Sequence, residues 1–194
     1  MTIALALIAY LIGSVSFAVV VSRAMGLPDP HSYGSKNPGA TNVLRTGNRW
    51  LAALTLVLDA GKGAVAVLVA RQFGPDMAAI AAAFAFLGHL FPVWLGFKGG
   101  KGVATSGGIL IAYVWPVGLA ALATWFLVAV VSRYSSLAAL VTAVTAPIYA
   151  WLWTREFQPT EVVLFLSVIV VLRHYANIRR LVRGDEGKIR LGRS

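Results

Sequence analysis

The sequence predicts an all-α integral membrane protein of about seven transmembrane helices, two of them short, with the N-terminus outside and the C-terminus in the cytoplasm. Three observations carry this. Hydrophobic residues make up 58% of the 194 residues and charged ones only 12%, against about 25% charged in a typical soluble domain. So much apolar surface cannot be hidden in a soluble core of this size, and hydrocarbon is its natural solvent. Apolar runs recur at lengths near the roughly 20 residues a helix needs to cross a bilayer. The 17 Lys and Arg against 7 Asp and Glu give a net charge of +10, and the basic residues gather on one side of the predicted spans, as cytoplasmic loops do.

The first span covers residues 2–21. No charge precedes Arg23, so the run lacks the basic start of a signal peptide and reads as a retained span. Residues 50–70 form the second, although it carries Asp59 and Lys62, and residues 77–95 the third. Residues 134–154 make a clear later span, and residues 159–172 open a last one that extends helically towards Ile178. The stretch 102–132 is ambiguous. As one helix it would be about 46 Å long, against a hydrocarbon core of roughly 30 Å. Pro116 and Gly118 sit near its middle, where a turn can form. Charge decides the count. If the stretch crosses twice, Arg23, Lys36, Arg45, Arg49, Lys98, Lys101, Arg133 and the basic tail (Arg173, Arg179, Arg180, Arg183, Lys188, Arg190, Arg193) all face the cytoplasm, and only Arg71 and Arg155 face outward. If it crosses once, the tail lands outside, against the positive-inside rule. Seven spans are therefore taken, with five or six as the other counts. No repeat and no second domain is evident, so residues 1–194 read as one polytopic domain. The chain has no cysteine, which removes disulfides and thiolate chemistry.

Polar residues cluster three times. The first cluster runs from Gly34 and Ser35 through Lys36, Asn37, Pro38, Gly39, Ala40, Thr41 and Asn42 to Arg45. Glycines let backbone N–H groups approach an anion. Ser35, Thr41 and Asn42 add neutral donors, and a guanidinium grips phosphate bidentately. A turn followed by a helix cap explains part of this cluster but not all of it. The second cluster runs from Gly88 and His89 through Phe97, Lys98, Gly99, Gly100, Lys101 and Gly102 to Thr105. It resembles a P-loop only superficially: the first glycine of that motif would fall at Leu95, and Gly102 stands where Ser or Thr is needed. It reads instead as a flexible, N–H-rich loop with two ammonium groups, suited to an acyl or phosphoryl anion. The third holds Arg173, His174, Asn177 and, further on, Glu186. His174 and Asn177 share a helix face, and His174 can act as a base or a phosphate ligand.

Asp59 and Lys62 stand i,i+3 inside the second span, where each charge costs roughly 2.5–3.5 kcal/mol on insertion scales. They are expected to pair or face the protein interior. His89 is expected to orient the loop after it, and Ser135 and Ser136 to cap the next helix. In the seven-span topology all three clusters reach the cytoplasmic side, which predicts one composite, positively charged site there.

With these residues in view, the sequence resembles the acyl-phosphate:glycerol-3-phosphate acyltransferase family, called PlsY. The resemblance rests on Gly34-Ser35-x-Asn37-x-Gly39-Ala40-Thr41-Asn42 with Arg45, on Gly88-His89-x-Phe91-Pro92-Val93 through Phe97-x-Gly99-Gly100-Lys101-Gly102-Val103-Ala104-Thr105, on Arg173-His174-x-x-Asn177-Ile178, and on Leu58-Asp59 with Lys62-Gly63. Lys36, where many members have Gly, and Ala176, often polar, are departures. The resemblance implies a multi-pass enzyme of the bacterial inner membrane with a cytoplasmic active site, acting on acyl phosphate and glycerol 3-phosphate among membrane lipids. It implies no cofactor, metal or nucleic acid, and the chain is expected to be a monomer. The expected catalytic residues are Ser35, Arg45, Lys101, His174 and Asn177. Gly39, Ala40, Thr41, Asn42, Lys98, Gly99, Gly100, Gly102, Thr105 and Ser136 are expected to bind substrate, with Asp59, His89, Arg173 and Glu186 supporting them. An organic-anion transporter would need polar groups on both sides, and the outer side offers only Arg71, Asp76, Arg155, Glu156 and Glu161. A phosphatase would need a nucleophile–histidine signature that is not evident. A structural lipid-binding protein would not need three polar motifs.

Overall fold

The computed structural model describes residues 1–189, so Arg190 and Arg193 of the expected basic tail lie outside the described residues. Among the described residues there are ten α-helices, one 3-10 turn and no strand. They are α1 (Thr2–Ser14), α2 (Phe17–Ala24), α3 (Ala40–Leu44), α4 (Arg49–Arg71), α5 (Pro75–Leu90), the turn Val93–Leu95, α6 (Val103–Tyr113), α7 (Trp115–Ser132), α8 (Ser135–Thr154), α9 (Phe157–Arg173) and α10 (Tyr175–Arg183). Four helices are long and apolar enough to cross a bilayer, or six spans if α1 with α2 and α9 with α10 each count as one bent crossing. Helix α6 is shorter.

The chain packs as two compact units, Met1–Trp115 and a second beginning at Pro116. In the first, α4 is the hub, against which α1, α2, α3, α5 and α6 all pack. Small residues make this close approach work, since lipid gives helices no hydrophobic reason to associate and backbone packing must supply it. A Cβ added to Gly13 would strike the Ala85 carbonyl, one on Gly88 the Tyr10 carbonyl, and one on Gly108 the Ala60 carbonyl. Buried Ala9, Ala66, Ala70, Ala81 and Ala85 continue the same seams. In the second unit α8 packs on α9, and α10 touches both. The Thr124 and Tyr149 hydroxyls lie 2.9 Å apart between α7 and α8.

Two expectations change here. The first span is not one helix: it breaks at Val15–Ser16 and bends by 42°. Nor does the last run straight to Ile178, because it bends by 56° at His174. The stretch 102–132 resolves into α6 and α7, interrupted at Val114, two residues before Pro116, while Gly118 is buried inside α7. Pro116 sits in the first turn of α7, where its missing N–H has no intrahelical partner to lose. The carbonyls left open at the end of α6 are met by Arg71, whose guanidinium donates to Ala112 O at 3.0 Å and Tyr113 O at 3.4 Å; a cation is also favoured at a helix C-terminus.

Candidate active site

The first polar loop is organised by Asn42, which is only 2% exposed. Its Nδ2 donates to Pro30 O at 2.8 Å and Tyr33 O at 3.3 Å, and its Oδ1 accepts the Ser35 N–H at 3.0 Å. Asn42 therefore holds the loop together instead of offering a donor to a ligand, as the sequence had suggested. Gly34 adopts φ +57, and a Cβ there would collide with the Asn42 amide and crowd the Arg45 side chain. The glycine leaves room for the Asn42 amide and the Arg45 side chain. Gly39 caps α3 from an extended backbone, with its own N–H donated to Asn37 O. Ser35, Thr41 and Arg45 are exposed, while Gly39 and Ala40 are half-buried.

The glycines of the second loop also have a different role from the one expected. The Gly99 N–H donates to Leu90 O and the Gly100 N–H to His89 O, both at 3.1 Å, so these amides tie the loop back to the end of α5. Both residues are buried. A Cβ on Gly99 would strike the His89 and Leu90 carbonyls, one on Gly100 the His89 ring, and one on Gly102 (φ +85) the Phe86 ring. The loop is closely packed. It presents Lys98 exposed and Lys101 half-buried, directly before α6. Thr105 is fully buried, packed against Gly63 of α4.

Beneath this loop lies the intramembrane charge pair. Lys62 Nζ donates to Asp59 Oδ1 at 2.7 Å, to Val15 O at 2.6 Å and to His89 Nδ1 at 2.9 Å. An ammonium has three N–H donors, and here each has an acceptor. The pairing expected for Asp59 and Lys62 is present, and the His89 carbonyl accepts the Gly100 N–H of the following loop. The contact to Val15 O satisfies a carbonyl left open by the α1–α2 break, as hydrocarbon demands.

In the second unit, His174 and Asn177 are buried, at 3% and 5% exposure. His174 stands at the α9–α10 bend, and its Nδ1–H donates to Val170 O at 2.7 Å. Glu186 folds back after Gly184 ends α10. Its Oε1 accepts from Ser136 Oγ at 2.7 Å and Asn177 Nδ2 at 2.6 Å, and its Oε2 from Arg180 Nε at 2.6 Å. Burial raises the Glu186 carboxyl, but those hydrogen bonds and the Arg180 charge outweigh it and hold the group below its ordinary value. Ser136 thus binds Glu186 and makes no helix cap, correcting that expectation; α8 has no side-chain cap. Arg173, half-buried, ends α9.

Asp29 and His31 have structural roles that the sequence did not single out, and Arg180, read only as part of the third cluster and basic tail, holds Glu186. Only the Asp29-Pro30 turn signal could have drawn attention to the first two.

Comparison with known proteins places this arrangement. The sequence model described as glycerol-3-phosphate acyltransferase matches residues 3–184. A glycerol-3-phosphate acyltransferase of Methylococcus capsulatus is 54% identical over 184 residues, covering 93% of this chain and 92% of the relative. One from Thiobacillus denitrificans is 58% identical over 187 residues, covering 93% and 94%. The crystal structure of PlsY (YgiH), an integral membrane glycerol 3-phosphate acyltransferase, in its glycerol 3-phosphate form superposes with a TM-score of 0.92 at 33% identity, covering 97% of this chain and 96% of that one. Its lysophosphatidic acid form gives 0.90 at 33% identity, covering 96% and 94%. The chain belongs to the glycerol-3-phosphate acyltransferase family.

Proposed function

We propose that the protein transfers the acyl group of an acyl phosphate to the 1-hydroxyl of glycerol 3-phosphate, releasing lysophosphatidic acid and phosphate as the first step of phospholipid synthesis. The observation that carries this is full-length likeness, in sequence and fold, to an enzyme whose crystal forms are named for glycerol 3-phosphate and lysophosphatidic acid. The motif residues support the choice of donor. An acyl phosphate is already an activated mixed anhydride, so the enzyme needs anion-binding loops and positioning more than a covalent nucleophile.

In this reading the substrate hydroxyl oxygen bonds to the acyl carbon, the bond between the acyl carbon and the oxygen bridging to phosphorus breaks, and phosphate leaves with that oxygen and the electron pair. Ser35, Arg45 and Lys101 bind glycerol 3-phosphate. The Gly39–Ala40–Thr41 segment and Lys98 hold the donor phosphate, with Gly99, Gly100, Gly102 and Thr105 shaping the loop. Asn177 orients the hydroxyl. His174 or the departing phosphate takes the proton. Asn42, Asp59, His89, Ser136, Arg173 and Glu186 support these groups. The enzyme works as a monomer without a cofactor.

Basic residues support a topology of seven crossings. The bent pairs count once each and α6 is a short crossing. The N-terminus is outside, and the polar loops face the cytoplasm at the bacterial inner membrane. The acyl chain lies between helices, where each buried CH₂ is worth about 0.8 kcal/mol.

The test is purified protein with palmitoyl phosphate and glycerol 3-phosphate, following phosphate and lysophosphatidic acid, with palmitoyl-CoA as the parallel donor. Equal release of both products from acyl phosphate alone is expected. Turnover with palmitoyl-CoA only would overturn the donor assignment, and folded protein inert with both donors would overturn the activity.

A further inference from the structure

We propose that His31 is a positioning residue that straps the first unit's two glycine-rich loops together. Its Nε2 lies 3.0 Å from Lys98 O, across 67 residues of chain, and a carbonyl can only accept, so the ring donates. On the other side, Nδ1 lies 2.7 Å from Asp29 Oδ1, which also accepts the His31 backbone N–H at 2.9 Å. The Asp29 carboxylate is in turn 3.9 Å from Arg23, on α2. The turn that carries His31 is also the one Asn42 grips, through Pro30 O and Tyr33 O.

One short turn therefore touches both loops. Asn42 fixes it to the segment bearing Ser35 and Arg45, and His31 fixes it to the segment bearing Lys98 and Lys101. The Gly99 and Gly100 amides hold the second loop to α5 from below, and they say nothing about its spacing from the first. The His31–Lys98 bond supplies that register. The His31 side chain is 30% exposed, so replacing it does not open a hole in the core. This inference rests on the acyltransferase reading, in which the two loops hold the two substrates.

Three variants separate a strap from a local turn. Gln places its amide nitrogen near the imidazole Nε2 position and keeps the reach to Lys98 O. Asn matches Nδ1 and keeps only the Asp29 contact, and Phe keeps neither. With melting temperature unchanged, His31→Asn and His31→Phe are expected to lose about tenfold in kcat/KM for glycerol 3-phosphate, the scale of one lost hydrogen bond. His31→Gln should stay close to wild type. Hydrogen exchange supplies a readout independent of activity: peptides covering residues 96–102 should exchange faster in the Asn and Phe variants and normally in the Gln variant. Unchanged exchange in all three, or equal losses in Gln and Asn, would remove the strap. A wild-type enzyme without turnover would remove the acyltransferase reading, while the exchange data would still decide the strap.

Discussion

Lys62 Nζ and His89 Nδ1 lie 2.9 Å apart in the interior of the first unit, joining a charge pair inside α4 to the end of α5. Because an ammonium can only donate, Nδ1 accepts and the ring proton sits on Nε2, the side that faces Gly100. Lys62→Met would leave the Asp59 carboxylate buried without its cation and the Val15 carbonyl without its donor. A loss of about 3–5 kcal/mol is expected for breaking such a pair from one side. Thermal unfolding in detergent checks it, and the double variant Asp59→Asn/Lys62→Met should recover part of the loss. A single variant as stable as wild type would show that the network carries no stability.

The two glycines Gly100 and Gly107 should respond oppositely to alanine. A methyl at Gly100 meets the His89 ring, whereas at Gly107, inside α6, it meets nothing within 4 Å. Gly100→Ala is expected to cost about 1–3 kcal/mol through overpacking and to lower activity by displacing Lys101. Gly107→Ala should gain up to about 1 kcal/mol from helix propensity. Melting temperatures of the two variants, measured side by side, settle both expectations.

The all-helical, membrane-embedded character was legible because hydropathy survives without knowledge of packing. The breaks at Val15–Ser16 and at His174 were not, since neither carries the Pro that usually marks a helix end. The first is stabilised by Lys62, far along the chain, reaching Val15 O. The polar motifs could be located in the sequence, but not which of their groups are spent on holding the loops together. Asn42 and the glycines at 99 and 100 looked like ligand donors, because a sequence shows which groups have N–H bonds and not where those bonds point. His31 was invisible for the same reason: its partner is a backbone carbonyl, and any residue could supply one.

Glu186 makes stability pH-dependent in a definite direction. Its folded carboxyl lies below the ordinary value of 4.5. The charged group therefore stabilises the fold fully above that pH, and the gain is lost as pH falls through the lower folded value. Glu186→Gln should melt below wild type at neutral pH, because its amide NH₂ cannot accept from Arg180. The difference should shrink on acidification. A gap that stays constant with pH would show that the carboxylate charge is not what holds Ser136, Asn177 and Arg180.

Lys101 and Lys98 share a loop, but Lys101 is half-buried and Lys98 exposed. A desolvated cation acts on a bound anion far more strongly than a hydrated one. Lys101→Ala is expected to lose roughly 100-fold or more in kcat/KM, and Lys98→Ala much less. Near-normal steady-state kinetics for Lys101→Ala would sink the assignment of this loop to substrate.

His174 spends its Nδ1–H on Val170 O, so any proton it takes from substrate must go to Nε2. Asn at this position keeps a nitrogen near Nδ1 and has no counterpart of Nε2, which makes it the informative replacement. His174→Asn is expected to fold normally and lose about 100-fold or more in kcat/KM. The partition of that loss assigns the role. A fall in kcat that erases the acidic limb of the pH–rate profile identifies a general base. A rise in KM for glycerol 3-phosphate with kcat and the profile preserved identifies a phosphate ligand, and then the departing phosphate of the donor carries the proton away.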